Sequence, residues 1–206
     1  MVSVIDYAAL FTAFATLFVV IDPIGLAPIF VALTQGMAPQ KRKAIALRAC
    51  VIAFVILSLF GLLGDSVLGF AGISMPAFQI AGGALLFLTA LEMLFELRGK
   101  RRSDKREDDD RDPSVFPLGI PLIAGPGAIA SIILLTNDAR ENSWQFVGVF
   151  GAMFVVILAV VTLFMMAGVI ERSLGKTGIL VVSRLFGILL AALAVQFILN
   201  GLTNFG

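Results

Sequence analysis

Long apolar runs recur along the whole chain, and no other feature constrains its fold more. A helix needs about 20 consecutive apolar residues to cross the hydrocarbon core of a bilayer. The pattern predicts an all-α membrane protein with six transmembrane helices, at approximately Tyr7–Leu33, Ala44–Leu63, Pro76–Leu97, Val115–Thr136, Ser143–Val169 and Thr177–Leu202. The chain is 59% hydrophobic, whereas soluble domains are about half apolar.

A strongly charged segment separates the third and fourth predicted helices. Residues 98–113 carry seven basic and six acidic side chains and almost nothing apolar, so they cannot bury a core of their own. We therefore divide the chain into a first three-helix unit at residues 1–97, a charged linker at 98–114 and a second three-helix unit at 115–206.

Basic residues are distributed very unevenly between the two sides of the predicted bundle. Of the 15 Lys and Arg residues, only Arg140 falls on the side that holds both termini, which leaves 14 on the side of the linker. The positive-inside rule then predicts a multi-pass protein of the cytoplasmic (inner) membrane, with the linker cytoplasmic and both termini periplasmic. The only Tyr and the only Trp, Tyr7 and Trp144, fall at the outer boundary, where amphipathic rings concentrate.

The first predicted helix contains residues that interrupt a membrane helix. The stretch FVVIDPIGLAPIF places Asp22, Pro23 and Gly25 near the middle of this helix. Asp is a preferred N-cap and Pro suits the first helical position, so the pair predicts that one half-helix ends here and another begins. Because an isolated charge at this depth is costly, Asp22 is expected to face a partner or water.

A second interrupted helix occupies the same place in the second half of the chain. The fourth predicted helix reads FPLGIPLIAGPGAIASIILL, and aligning Pro126 with Pro23 places a proline beside a glycine in both. The pattern predicts two inverted three-helix repeats with helices one and four discontinuous, a plan common among secondary transporters. The alternative, that these prolines only kink two continuous helices, stays open at this stage.

The two breaks form the predicted binding site. Each half-helix N-terminus has unsatisfied N–H groups and a positive dipole end that attract an anion. The candidate substrate-binding residues are those of the breaks, together with one residue in each of helices three and six: Asp22, Pro23, Ile24, Gly25, Gly125, Pro126, Gly127, Ala128, Gln79 and Arg184. Two alternatives stay open, namely that Asp22 binds an ion rather than substrate and that Arg184 only snorkels to the cytoplasmic interface.

At these residues the sequence resembles the MarC family of six-span membrane proteins. The blocks DPIGLAPIF, PLIAGPGAI and FQIAGGALLFLTALEML carry the resemblance, which runs essentially from end to end. It implies inverted three-span repeats and a secondary transporter of glycine, alanine and similar amino acids, as in members related to SnatA. Two positions depart from the family pattern: Asp22 stands where Asn is frequent, and Gln79 stands where a basic residue is frequent.

Composition excludes several other function classes. The chain has no histidine and one cysteine, which removes histidine triads, histidine metal sites and internal disulfides. No paired acid or lysine base lies within a helix, so an enzyme is not expected. The net charge of +1 indicates no nucleic acid partner. The expected partners are an amino acid substrate and the lipid bilayer, without a cofactor; a proton or sodium ion is compatible as coupling ion.

Two further functions remain as alternatives to amino acid transport. One is transport of an inorganic ion, and the other is a membrane regulatory protein that transports nothing. The sequence is compatible with a monomer and with a homo-oligomer.

Overall fold

The structure, a computed structural model, describes residues 6–95 and 113–204. These residues form eight helices in chain order: α1 Tyr7–Ile21, α2 Pro23–Leu33, α3 Pro39–Phe70, α4 Met75–Leu94, α5 Ser114–Ile123, α6 Pro126–Asp138, α7 Ser143–Met165 and α8 Ala167–Thr203. The described ranges contain no strand, which confirms the predicted all-α class. The charged linker lies outside the described residues, apart from its last two positions.

Five helical stretches in the described ranges are long and apolar enough to cross a membrane. They are Tyr7–Leu33, Pro39–Phe70, Met75–Leu94, Ser143–Met165 and Thr177–Thr203. The predicted fourth helix is not among them, because the chain breaks there into α5 of 10 residues and α6 of 13 residues. Each piece is shorter than the roughly 20 residues that one crossing needs. The prediction of membrane-length helices is therefore confirmed for five of the six.

Two connections differ from the sequence-based boundaries. The basic cluster 41–43 was expected in a loop, yet it belongs to the first turn of α3, which begins at Pro39 and runs for 32 residues. Part of the loop expected before Thr177 is also helical, since α8 begins at Ala167; the chain leaves helical geometry at Gly175, and the membrane-length stretch begins at Thr177, as predicted. Gly175 has φ 63° and ψ 172°, a conformation that glycine adopts without the strain of a side chain.

The broken first helix is the most enclosed of the five long stretches. In its most apolar 18-residue window 56% of the residues are buried, compared with 28–39% in the other four stretches. Interrupted backbone in a membrane is tolerated only where protein or a water-filled cavity surrounds it. The burial of Tyr7–Leu33 is what this constraint requires of a helix broken at its middle.

Helices α4 and α8 pack antiparallel through glycines. A Cβ added at Gly83 would lie 2.7 Å from the Ala194 carbonyl oxygen, and one at Gly201 would lie 2.8 Å from the Pro76 carbonyl oxygen. Small residues at such contacts let helix backbones approach closely, which drives association where lipid gives no hydrophobic advantage. This pair therefore packs closely beside the broken helices.

One end of the bundle gathers the starts of α1 and α7. Leu10 packs directly against Gly148, so the two helices run side by side from their first turns. Tyr7 and Trp144, both exposed, therefore lie at the same end. An ion pair at 3.2 Å also joins the half-exposed side chains of Asp65 and Arg140. Pairs with this exposure contribute about 0–1 kcal/mol.

Candidate functional site

The first break is centred on Asp22. Its backbone adopts φ 53° and ψ 63°, and it is the only non-glycine residue with positive φ in the described ranges. Its N–H donates to the Phe18 carbonyl oxygen at 3.0 Å, which ends α1. Its Oδ1 accepts from the Gly25 N–H at 3.0 Å, which caps α2 at Pro23. The N-cap expected from the Asp–Pro pair is therefore present, and the helix breaks rather than kinks.

The second carboxylate oxygen of Asp22 joins the break to α8. Asp22 Oδ2 accepts a hydrogen bond from Ser183 Oγ at 3.0 Å, and Asp22 is only 2% exposed. A Cβ added at Gly25 would collide with Asp22 Oδ2 and would lie 2.5 Å from Ser183 Oγ. Gly25 is therefore the residue whose lack of a side chain lets the carboxylate and the hydroxyl meet.

The second break separates α5 from α6. Helix α5 has wide turns, as the bond from the Ala124 N–H to the Gly119 carbonyl oxygen at 3.1 Å shows. Gly125 follows in an extended conformation, and Pro126 is the first residue of α6. No side chain caps this N-terminus. The first backbone bond runs from the Ile129 N–H to the Gly125 carbonyl oxygen, so the N–H groups of residues 127 and 128 precede the helical ladder.

The two breaks lie close together inside the protein. A Cβ added at Gly127 would lie 3.4 Å from Cγ1 of Val20, which stands two residues before Asp22. It would also lie 3.2 Å from Leu86 Cδ2 and 3.2 Å from Thr89 Oγ1 of α4. Gly127 is buried. An uncapped helix N-terminus, with its partial positive charge, thus packs against the chain two residues before the first break.

The other predicted site residues take varied positions. Pro23 is buried and Ile24 is half-buried in the first turn of α2. Gln79 is buried near Gly201, where a Cβ would lie 3.1 Å from Gln79 Cβ, rather than at the breaks. Arg184 is exposed on α8. The structure therefore brings the two breaks together and places Gln79 beside α8, while Arg184 immediately follows Ser183, the residue that binds Asp22.

Sequence reasoning missed a cluster that secures the far end of α2. Thr34 Oγ1 donates to the Phe30 carbonyl oxygen at 2.8 Å and accepts from Arg42 Nε at 3.1 Å. The Arg42 guanidinium also lies 5.7 Å from the centroid of the Phe30 ring, and this ring stacks on Phe164 at 4.5 Å. A cation at a helix C-terminus complements the dipole. This cluster therefore holds α2 against α3 and α7.

Ser183 is a further site residue that the sequence did not single out. It lies among apolar residues of α8, immediately before Arg184, which had drawn attention as the charged side chain of that helix. No motif surrounds it, and its partner Asp22 is 161 positions away. Among the described residues, no group of three or more His, Cys, Asp or Glu side chains is arranged to hold a metal ion.

Comparison with known proteins gives one family and several relatives. Residues 7–205 match the family described as MarC family integral membrane protein. The UPF0056 membrane protein of Archaeoglobus fulgidus is 38% identical over 199 residues, which cover 94% of this chain and 92% of that protein. The UPF0056 membrane protein YhcE of Escherichia coli is 35% identical over 201 residues, with coverages of 96% and 93%. No solved structure matches the chain.

Proposed function

Because the chain belongs to the MarC family of integral membrane proteins, we propose that it is a secondary transporter of small neutral amino acids such as glycine and alanine. The substrate class follows from the resemblance of the sequence to family members related to SnatA. A site made of two helix termini inside the membrane fits transport.

The observation that carries the proposal is that the N-terminus of α6, at the second break, is uncapped and lies close to the first break. Gly127 and Ala128 are buried, no side chain caps their N–H groups, and a Cβ at Gly127 would lie 3.4 Å from Val20, which stands two residues before Asp22. Helix N-termini of this kind bind carboxylates and phosphates. In broken-helix transporters such ends take the substrate carboxylate.

A zwitterion suits the two breaks because they differ in charge. The α6 N-terminus offers N–H donors and a positive dipole end to the carboxylate. The first break carries the negative charge of Asp22, which attracts an ammonium or a coupling cation such as a sodium ion. Leu86, Thr89 and Val20 would all lie within 3.4 Å of a Cβ at Gly127, so the close packing around the α6 N-terminus favours a small ligand.

The proposed architecture has six crossings in two inverted three-helix repeats. In it α5 and α6 together make the fourth crossing, with a break that corresponds to the one between α1 and α2. The matched positions of the two breaks support this arrangement, since the proline that begins each inner half-helix is Pro23 in one repeat and Pro126 in the other. The charged linker is cytoplasmic and both termini are periplasmic in this proposal, following the basic residues.

Uptake by purified protein in liposomes tests the proposal. Labelled glycine and alanine are expected to enter under a proton or sodium gradient, whereas leucine neither enters nor competes. Gly127→Ala should lower glycine uptake at least fivefold, because its Cβ meets three neighbours. The matched control is Gly151→Ala in α7, where a Cβ meets nothing within 4 Å. Inorganic ion flux without glycine uptake, or no flux at all, would replace the proposal with one of the alternatives.

A further inference from the structure

Two buried polar atoms have no hydrogen-bond partner within the part of the chain that the structure describes. They are Gln79 Oε1 in α4 and Ser131 Oγ in α6. Gln79 is 7% exposed and Ser131 is 0% exposed. The large majority of buried side-chain polar atoms in proteins are hydrogen-bonded, so each exception calls for a physical explanation.

Helices α4 and α6 pack antiparallel along one seam. A Cβ added at Gly127, near the start of α6, would lie 3.2 Å from Leu86. A Cβ added at Gly82, one turn earlier in α4, would lie 3.3 Å from Ala130 Cβ and 3.6 Å from Leu134 Cδ1. The seam therefore leads from the second break toward the end of the bundle where α4 begins.

One of the two unpartnered side chains, Ser131, lies on the stripe of α6 that forms this seam. Ser131 stands four residues after Gly127 and three before Leu134, so it shares their face of α6. Gln79 stands three residues before Gly82 but faces Gly201 of α8, where a Cβ would lie 3.1 Å from Gln79 Cβ, so it borders the seam on the α8 side. At 1.5 Å per residue, Ser131 lies about 6 Å along α6 from Gly127.

Polar groups thus stand in or beside the seam at three successive levels. Thr89 Oγ1 stands beside Gly127 at the break, Ser131 Oγ follows about a turn further along α6, and Gln79 Oε1 lies near the start of α4. At about the level of Ser131, the small residues Gly82 and Ala130 close the seam. The unpaired Ser131 hydroxyl disfavours this closed arrangement, and opening the seam would give it a partner.

We propose that the α4–α6 seam is the route by which a small zwitterion reaches the N-terminus of α6 from the end of the bundle where α4 begins. Ser131 binds the ligand along this route. A hydroxyl can donate to a carboxylate and accept from an ammonium. The inference rests on the proposed function for the identity of the ligand, and on the seam itself for the route.

Cysteine labelling tests the route independently of transport. Cys50 is the only cysteine, so Cys50→Ala gives a background into which Ser131→Cys is introduced. A charged, membrane-impermeant methanethiosulfonate reagent is added separately to each side of the membrane. We expect Ser131→Cys to react from the side on which α4 begins, at least tenfold faster than the control, and 10 mM glycine to slow the reaction at least threefold.

The matched control is Thr136→Cys in the same background. Thr136 is equally buried on the same helix and closer to its aqueous end, but its hydroxyl has a partner in the Ile132 carbonyl oxygen at 2.8 Å. General loosening of α6 would therefore expose position 136 at least as much as position 131. Equal labelling of the two positions, or labelling of Ser131→Cys only from the opposite side, would overturn the route.

Substitution of Ser131 by Ala tests ligand contact along the route. Because Ser131 Oγ has no partner in the described structure, Ser131→Ala should leave the unfolding temperature unchanged or raise it, while glycine uptake falls at least threefold. Unchanged uptake would overturn the binding role of Ser131. Wild-type vesicles that take up no glycine, with Ser131→Cys labelled as expected, would reject the proposed function and leave the route standing. Glycine uptake with no labelling would reject the route alone.

Discussion

The carboxylate of Asp22 accepts a hydrogen bond from the hydroxyl of Ser183 at 3.0 Å, across 161 positions of the sequence. The same carboxylate caps α2 through the Gly25 N–H at 3.0 Å. One side chain therefore begins a half-helix and attaches it to α8. The position of the first break is set by tertiary contacts as well as by its own turn chemistry.

Asp22 combines a cap with a charge, and two substitutions separate these properties. Asn caps a helix about as well as Asp and tolerates the left-handed backbone, so Asp22→Asn should fold with little loss. Asp22→Leu loses the cap and places a bulky side chain at φ 53°, which should destabilise the protein by about 2–4 kcal/mol. Thermal unfolding in detergent micelles measures both effects.

Uptake then tests the charge of Asp22. On the proposed function, Asp22→Asn weakens glycine affinity or alters the dependence of uptake on the proton or sodium gradient. If Asp22→Asn transported with wild-type affinity and ion dependence, Asp22 would be a cap alone.

Ser183 donates a hydrogen bond to the Asp22 carboxylate, so its removal should lower the stability of the protein. Hydrogen bonds to charged groups contribute about 1.5–3 kcal/mol, so Ser183→Ala should lower the free energy of unfolding by about that amount. Ser183→Thr keeps the hydroxyl and should recover most of the loss. Ser66→Ala, at an exposed position of α3, is the control and should change little. Equal effects of the Ala and Thr substitutions at position 183 would show that the hydrogen bond is not the cause.

The part of this site that the sequence predicted is the part that local chemistry determines. The Asp–Pro pair specifies a cap and a first helical residue within four positions, and both appear at Asp22 and Pro23. Gly125–Pro126 likewise starts α6 where the sequence placed it. The contacts of Ser183 with Asp22 and of Arg42 with Thr34 depend on how helices pack. No spacing rule along the chain reveals them.

The fold shows the same division between local and tertiary causes. Apolar length predicted five of the membrane-length helices, but it did not show that α5 ends at Ile123 after wide turns. Hydropathy measures only how apolar a stretch is, and this stretch stays apolar through the break. Similarly, hydropathy did not show that Gly175, with non-helical φ and ψ, divides Ala167–Thr203 into two helical pieces.

Gly25 should be intolerant of even one added carbon. A Cβ there meets the Asp22 carboxylate and the Ser183 hydroxyl, so Gly25→Ala must separate the pair or shift α2. We expect a loss of about 1–3 kcal/mol in the free energy of unfolding, as for other overpacked sites. Gly168→Ala in α8, where nothing lies within 4 Å, should instead be neutral or stabilising by up to about 1 kcal/mol. A Gly25→Ala protein as stable as the control would contradict the close packing.

Arg42 should stabilise the far end of α2 through its guanidinium rather than through charge alone. Its Nε bond to Thr34 and its position over the Phe30 ring need the planar group, which lysine does not provide. Arg42→Lys should therefore cost about 1–2 kcal/mol, close to the cost of Arg42→Ala. Lys43→Ala, at the exposed neighbouring position, should change stability by less than about 0.5 kcal/mol. If Arg42→Lys had wild-type stability, the positive charge alone would account for what Arg42 contributes to stability.

The last prediction concerns the orientation of the bundle in the membrane. Tyr7 and Trp144 lie at one end, where α1 and α7 begin together. Arg140 also lies at that end, because it pairs with Asp65 near the end of α3. Lys43 lies near the start of α3 and therefore at the opposite end of the bundle. The basic residues indicate that the Lys43 side is cytoplasmic. In the Cys50→Ala background, Glu141→Cys should react with an impermeant thiol reagent on intact cells, and Lys43→Cys should react only after permeabilisation. The reverse pattern would invert the orientation, and reaction of both positions on intact cells would contradict the pairing of the helix ends.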